Sequence, residues 1–406
     1  MVAPLALDLL RSRQRHWSLP QPFYTSQEIF DLDMEHIFGR SWLFVALSCE
    51  VKSPGDWVTV ELGRESIIVV RGNDGDIRAF HNSCRHRGSR ICLTDDGRSK
   101  RFTCPYHQWS YDLTGELVGT RHMEGDFNKS EFGLAPVHCQ NLAGYIFISL
   151  AATPPPFDAM RRDLEPFIAA QDIDNCQVIH SQTLLEQANW KLVLENNREC
   201  YHCVGTHREL LRTLAEFDDP SDPRMDPGFA ALIHRKNAEW AAQGVAHGPT
   251  PSNIQYRAVR LPLIDGAMSM TMDGELGCTK LMGNFTDPDL GSVRMLSLPN
   301  SWNHLMADHL IAFRVLPKGP TETLVTTKWL VHADAVDGVD YHVDRVTHVW
   351  RETNVQDKLL AEHNQLGINS LAYRPGPYSA QIEMGVRDFV DWYSSELELR
   401  LSEVSG

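Results

Sequence analysis

The chain has no run of about 18 consecutive apolar residues, so no membrane-spanning helix is expected. No export signal is expected either. The apolar stretch over residues 2–10 is interrupted by Pro4 and Asp8 and has no basic lead-in. Positive charge is scarce: 38 Lys and Arg stand against 53 Asp and Glu, and the formal net charge of -15 argues against a nucleic-acid partner. The 9 cysteines are odd in number and irregular in spacing, so no disulfide framework is suggested. Free thiols in a reducing cytoplasm are the expectation. Internal repeats are absent. What remains is ordinary for a globular protein: 42% hydrophobic and 22% charged residues over 406 positions, enough for two domains.

Four residues in the first third carry the strongest signal. Cys84-Arg-His86 is followed, well downstream, by Cys104-Pro-Tyr-His107. Two arms with one Cys and one His each suit a Rieske [2Fe–2S] centre, in which thiolates hold one iron and imidazoles the other. The alternative is a structural zinc site, but zinc knuckles usually open with Cys-x-x-Cys and close with a His pair. Gly88 allows a tight turn, Pro105 stiffens the second arm, and Tyr106, Gln108 and Trp109 are placed to shield the sulfurs.

Residues 1–40 read as a lead-in segment, with Ser26 capping a helix that has Glu28 and Asp31 near its start. Residues 41–152 read as a small all-β domain. Residues 57–62 alternate in polarity, 66–70 form a buried-type run, and turn signals lie at 53–56 and 72–75. A strand at 145–150 closes the block, and 151–156 is a proline-rich linker. In residues 153–406, helices are predicted at 158–171, 188–204 and 340–366, and strands near 292–298, 308–316 and 321–332. Strands and helices do not alternate regularly, so this part is read as α+β around an antiparallel sheet. The stretch 218–250, rich in Asp, Pro and Gly, reads as a loop or cover.

A second metal site is suggested by Glu199-Cys-Tyr-His202-Cys-Val-Gly-Thr-His207. Glu199 and His202, three apart, would share a helical face. Gly205 would end that helix and leave His207 in the turn. Two imidazoles plus one carboxylate make a facial triad with open positions for O₂ on Fe(II). Asp357 is the candidate carboxylate. It continues the inward stripe Val343, Val346, Trp350 and Asn354, with Leu360, Ala361 and Asn364 beyond, and a carboxylate on a buried face needs a partner. Glu352 and Glu362 fall off the stripe and read as solvated. A bare His pair or a lone Asp is more often structural, and the upstream cluster is what tilts the reading towards iron. Cys200 and Cys203 read as two buried packing residues, with a redox dithiol as the alternative.

With these motifs in place, the chain resembles the α subunit of Rieske non-haem iron oxygenases. The likeness extends from Ser18-Leu-Pro-Gln-Pro-Phe-Tyr24 to Phe389-Val-Asp-Trp-Tyr393. It is most similar to the group acting on quaternary ammonium compounds (glycine betaine, stachydrine, carnitine and choline), and within that group to the glycine betaine monooxygenases. Residues 189–203, 269–274, 287–291 and 370–379 carry this. The resemblance implies Cys84, His86, Cys104 and His107 as cluster ligands, and His202, His207 and Asp357 as iron ligands. It makes Glu199 the acid bridging the two centres, where many ring-hydroxylating relatives have Asp. It implies a helix-grip second domain, a homotrimer, and a separate flavin and iron–sulfur reductase that delivers NAD(P)H electrons. The implied reaction hydroxylates an N-methyl carbon with O₂; the hemiaminal then collapses to formaldehyde and a tertiary amine. Aromatic-ring dihydroxylation and a cluster-only electron carrier are the competing readings. A quaternary ammonium has no N–H, so aromatic faces should hold it. Tyr201, Trp302, Phe313 and Tyr378 are candidates, with Asn303, His304 or His309 for a substrate carboxylate.

Overall fold

Ten short strands occupy the chain between residues 43 and 149 in the computed structural model, which describes residues 2–217, 224–251, 253–264 and 266–405. They are β1 (Leu43–Leu47), β2 (Asp56–Leu62), β3 (Glu65–Arg71), β4 (Ile77–His81), β5 (Asp96–Arg98), β6 (Phe102–Thr103), β7 (Ser110–Tyr111), β8 (Leu117–Gly119), β9 (Pro136–Leu142) and β10 (Tyr145–Ser149). Seven form an antiparallel sheet in the order β1-β10-β9-β4-β3-β2-β5; β6-β7-β8 form a second, small sheet. The polarity pattern explains the layering. β2 buries Trp57, Val60 and Leu62 and leaves its other residues half-covered, whereas β3 is buried along Ser66–Val70. Trp57, Ile68, Val70, Phe80, Phe102 and Trp109 make one core cluster, which also contains Cys84 and Cys104.

This unit comprises residues 39–156 together with 173–175, against an expected span of 41–152. The proline-rich stretch belongs to it because Trp42 Nε1 donates to the Pro155 carbonyl at 2.8 Å.

The second unit contains residues 1–38, 157–172 and 176–406. Its sheet is formed by β11 (Cys176–Glu186), β12 (Tyr256–Leu261), β13 (Ser292–Ser297), β14 (Ser301–Leu305), β15 (Leu310–Gly319) and β16 (Glu322–His332), antiparallel in the order β11-β16-β15-β14-β13-β12. Its helices are α1 (Val2–Ser12), α2 (Pro22–Thr25), α3 (Gln27–Leu32), α4 (Asp158–Ile168), α5 (Trp190–Asn197), α6 (Cys203–Thr206), α7 (Pro227–Ala242), α8 (Val343–Ile368) and α9 (Met384–Ser405). α8 lies on one face of the sheet, fixed by Asn354 Nδ2, which donates to Thr327 Oγ1 and Gln182 Oε1, each at 3.0 Å. A small all-β unit and an α+β unit with an antiparallel sheet around a long helix is the fold class expected.

A buried ion pair ties the lead-in segment to the helical layer. Lys191 and Asp33, both fully buried, are bonded to each other. Trp190 Nε1 and Tyr393 Oη donate to the same carboxylate at 3.0 and 2.6 Å. Full satisfaction of the carboxylate offsets the cost of burying it. No described helix is long and apolar enough to cross a membrane.

Four expectations need correction. The helix predicted at 188–204 stops at Asn197, and the chain turns through Arg198–Tyr201 before α6. The loop or cover expected at 218–250 contains α7, capped by Asp226, whose carboxylate accepts from the Phe229 N–H at 2.9 Å, with Pro227 at the first helical position. The part of that expectation on residues 218–223 lies outside the described residues. Asn364 is exposed rather than on the inward stripe, because the stripe drifts to Ala361 and Gln365. Glu362 is not simply solvated: it accepts from Lys358 Nζ and from the Gln187 N–H.

Candidate functional site

The two cluster arms share one backbone plan. In the first, the Cys84 N–H donates to the Ser89 carbonyl at 2.9 Å and the Gly88 N–H donates back to the Cys84 carbonyl at 2.8 Å. In the second, the Cys104 N–H donates to Trp109 at 2.8 Å and the Gln108 N–H to Cys104 at 3.0 Å. The residue four after each cysteine has positive φ, +78° at Gly88 and 60° at Gln108. Two tight loops thereby present one Cys and one His each. The cysteines are 3% and 1% exposed, whereas His86 is exposed and His107 half-buried. The imidazoles meet at 3.2 Å between Nδ1 atoms. Buried thiols and outer imidazoles, paired across two loops, match the donor set of a cluster with a thiolate iron and an imidazole iron.

Shielding differs from expectation. Trp109 is buried and stacks on His86 at 4.8 Å between centroids. Tyr106 stays exposed and lies against His107, and Gln108 turns outward to accept from Arg121. The group that reaches a sulfur is Tyr111, with Oη 3.2 Å from Cys84 Sγ. Sequence spacing offered only its place two residues after Trp109. Burial pushes the Cys84 thiol up. Partial burial and the charges of His86 and Arg87 pull His107 down, towards the neutral, ligating form.

The second donor set is brought together by the break after α5 and by α8. His202 Nε2 lies 3.0 Å from His207 Nε2, and Asp357 Oδ1 lies 2.9 Å from His207 Nε2 and 3.4 Å from His202 Nε2. Ligands about 2.1 Å from a metal and at right angles to tetrahedral angles stand about 3.0–3.4 Å from one another. The three separations fit that spacing, so the donor set can hold one iron. Burial disfavours charge on His202, but hydrogen bonds to Asp357 and Glu199 outweigh it and raise this imidazole to about 9. Burial disfavours charge on His207 too, but Asp357 and the hydrogen bond to Gln356 outweigh it and raise this imidazole, and Asp357 is lowered despite burial because it accepts from both histidines. A bound cation would displace those shared protons.

Glu199 and His202 do not share a helix, yet Glu199 Oε1 reaches His202 Nδ1 at 2.6 Å and its other oxygen accepts from the Tyr201 N–H. His207 Nδ1 meets Gln356 Oε1 at 2.7 Å, and Gln356 Nε2 donates to Glu209. Gln356 was missed from sequence; its place beside Asp357 was the available signal. Such partners fix the tautomer and aim of a ligating imidazole.

Cys200 and Cys203 are joined as a disulfide, correcting both the packing reading and the expectation of free thiols throughout. The turn after α5 draws their Cα atoms to 5.0 Å, within disulfide reach. Cys203 Sγ also lies within 4.8 Å of the two imidazoles' donor atoms, but its bond to Cys200 leaves Asp357 as the third donor.

A cavity of about 620 Å³ is lined by His202, His207, Asp357, Trp302, His304 and Trp350, among others. Trp302 stacks on Phe313 at 5.1 Å, and Phe313 and His304 contact Trp350 at 4.9 and 4.7 Å. Phe313 backs this wall without lining it. Tyr201, Tyr378 and His309 stand elsewhere. Tyr201 is 66% exposed on the turn. Tyr378 donates to Glu195 at 2.8 Å, which holds it away from the cavity. His309 is fully buried in a network with Ser269 and Asp308. Asn303 lines the cavity from a strand position whose Nδ2 donates to Ser301.

Two family descriptions match the chain: the ring hydroxylating alpha subunit (catalytic domain) over residues 173–398 and the Rieske [2Fe-2S] domain over residues 41–137. The glycine betaine monooxygenase oxygenase subunit of Pseudomonas aeruginosa (strain UCBPP-PA14) is 50% identical over 401 residues, covering 98% of this chain and 93% of that protein. Its counterpart from Chromohalobacter salexigens is 51% identical over 395 residues, covering 97% and 89%. The fold also superposes on the quaternary ammonium Rieske monooxygenase CntA in complex with gamma-butyrobetaine, with a TM-score of 0.70 at 21% identity over 96% of this chain and 98% of that one. The chain therefore belongs to the ring-hydroxylating alpha subunits of the Rieske oxygenases, oxidoreductases that combine a [2Fe–2S] cluster with a mononuclear iron that uses O₂.

Proposed function

We infer that this chain is the oxygenase component of a multicomponent monooxygenase that N-demethylates glycine betaine. The observation that carries the reading is full-length similarity to oxygenase subunits of that activity, joined to a cavity in which two histidines and an aspartate stand beside tryptophan faces. Glycine betaine, O₂, NADH and a proton would yield dimethylglycine, formaldehyde, NAD⁺ and water. The cluster supplies single electrons and the iron supplies O₂ activation when bound. Cys84, His86, Cys104 and His107 would hold the first; His202, His207 and Asp357 would hold the second. Glu199 braces His202 through Nδ1 and would be the acid that links the cluster to the iron site. Trp302 and Trp350 give a quaternary ammonium a desolvated aromatic surface. Electrons arrive from a flavin and iron–sulfur NAD(P)H reductase. A homotrimer, a cytoplasmic location and a lead-in segment docked on the catalytic unit complete the reading.

The test is reconstitution with such a reductase, using glycine betaine, stachydrine, carnitine, choline and an arene. Formaldehyde released one-for-one with NADH from glycine betaine, and not from the arene, is the expected result. Failure to turn over any betaine sinks the proposal. Selective turnover of carnitine or stachydrine would move the substrate assignment within the quaternary ammonium class.

A further inference from the structure

One disulfide stands in a chain whose other seven cysteines are free. It joins Cys200 to Cys203, with His202 between them in sequence. A structural disulfide stabilises by closing a loop, and the effect grows with the length of that loop. This one spans a sequence separation of only 3, and its turn is held without it, because the Cys203 N–H donates to the Cys200 carbonyl at 3.2 Å. Bracing the fold is therefore a weak reason for the bond. Cys-x-x-Cys pairs are instead the ones that exchange readily with thiols. Both cysteines line the cavity of the iron donors, Cys200 is only half-buried, and its neighbours Tyr201 and Val204 are exposed, so a small thiol can reach the bond.

The position of the pair supplies a stronger reason. Cys203 Sγ lies within 4.8 Å of a donor nitrogen of both His202 and His207. Cys203 is buried at the start of α6, and its carbonyl accepts from the His207 N–H at 2.7 Å, so one turn of backbone carries the sulfur and the second imidazole together. Nitrogen and sulfur ligands of one tetrahedral metal stand about 3.6 Å apart, given bonds of about 2.05 and about 2.3 Å. A freed sulfur needs a shift of about 1 Å to reach that spacing, which rotation about its Cα–Cβ bond supplies. In the disulfide the sulfur has no thiolate charge and is a poor ligand. Two donor sets thus share one place. With the bond closed, His202, His207 and Asp357 offer two nitrogens and a hard oxygen, a set suited to Fe(II). With the bond open, a soft thiolate joins the imidazoles, and that combination favours zinc, which has no redox chemistry.

We propose that Cys203 is a latent metal ligand masked by its bond to Cys200, and that reducing this disulfide by a dithiol turns the iron site into a thiolate site that takes zinc. This rests on the reading of His202, His207 and Asp357 as iron donors and names how that site is regulated. The reduction is a thiol–disulfide exchange. One sulfur of the dithiol attacks the pair and forms a mixed disulfide. The second sulfur of the dithiol then displaces it, so the Cys200–Cys203 bond breaks and the dithiol's own disulfide forms. Two electrons pass from the dithiol to the cysteines, and its two protons end on Cys200 and Cys203. Cys203 releases its proton to water when it ligates a metal. The closed disulfide thereby keeps the site selective for iron, and its opening switches off a centre that depends on the cluster's electrons.

The experiment uses the full chain with its cluster assembled and the mononuclear iron removed by a chelator. It is loaded with zinc either as isolated or after treatment with dithiothreitol, which is removed before loading. Alkylation and peptide mass mapping report the state of Cys200 and Cys203. Zinc-edge X-ray absorption reads the ligands free of the cluster's iron. Oxidised protein should show only nitrogen and oxygen ligands. Reduced protein should add one sulfur at about 2.3 Å and bind zinc at least about 10-fold more tightly in chelator competition. Cys200→Ser should show the sulfur without any reductant, and Cys203→Ser in neither state. A zinc shell without sulfur once the pair is reduced, or in Cys200→Ser, overturns the proposal. So does a Cys200–Cys203 bond that dithiothreitol leaves intact in the folded protein. Should a variant not fold, the two states of wild type decide alone. Oxidised protein that binds no zinc through imidazole refutes the iron-site reading itself, a result separate from these.

Discussion

Asn at position 357 preserves the shape of the aspartate and removes the one anionic donor facing both imidazoles among the described residues. Asp357 Oδ1 stands 2.9 Å from His207 Nε2 and 3.4 Å from His202 Nε2. Glu199 is no substitute, because it reaches His202 through the other ring nitrogen, Nδ1. Losing a partner outside the ligand set typically costs a metal site about 10–100-fold in affinity, and losing a charged ligand exceeds that, so a weakening of at least about 100-fold is expected. Iron analysis of purified Asp357→Asn should therefore fall from about three to about two atoms per chain. The cluster's visible absorption and the electron spin resonance of its reduced form should stay as in wild type, since its four candidate ligands lie in the other compact unit. Formaldehyde production should disappear. A variant that keeps the third iron, or turns over at a wild-type rate, refutes the assignment of Asp357 as ligand. A variant that loses the cluster spectrum together with the iron refutes the independence of the two donor sets.

Gln356→Leu removes the acceptor 2.7 Å from His207 Nδ1 and should weaken the mononuclear iron about 10–100-fold in a chelator competition, with the cluster untouched. Tyr111→Phe removes the hydroxyl 3.2 Å from Cys84 Sγ and should lower the cluster's reduction potential in protein-film voltammetry; an unchanged potential would mean this hydroxyl does not bond the bound cluster. Glu195→Gln addresses stability. Burial pushes Glu195 up to about 7, even though Tyr24 and Tyr378 donate to it. A folded-state value above the unfolded one means that the contribution is full below about 4.5 and is lost as pH rises through about 7, a change of ~3 kcal/mol at ~1.4 kcal/mol per pH unit. The melting temperature of Glu195→Gln relative to wild type should therefore rise between pH 5 and pH 8, and a constant offset would contradict the buried, protonated carboxyl.

Local chemistry was the legible part of this chain. The cluster arms declare themselves because each is a closed loop whose donors lie two or three residues apart. The tight turns they need leave Gly88 at one arm and force Gln108 to positive φ at the other. Asp357 was legible through a different regularity, the inward stripe of one long helix. Glu199 and His202 were paired correctly for the wrong reason. The helix expected to align them ends at Asn197, and it is the turn that follows which closes Glu199 onto His202. That same turn draws Cys200 to Cys203, so one misplaced helix end accounts for both the missed disulfide and the mistaken geometry of the motif.

The aromatic wall of the cavity was illegible for a reason that lies in how sheets are built. Aromatic type alone nominated Tyr201, Tyr378, Trp302 and Phe313, and only register sorts them. Trp302 and Phe313 pair across β14 and β15 beneath α8, Tyr378 is committed to Glu195, and Tyr201 sits on an exposed turn. The candidate cluster and iron donors are thus written in short segments and one helix stripe, but the aromatic wall of the cavity depends on long-range strand pairing.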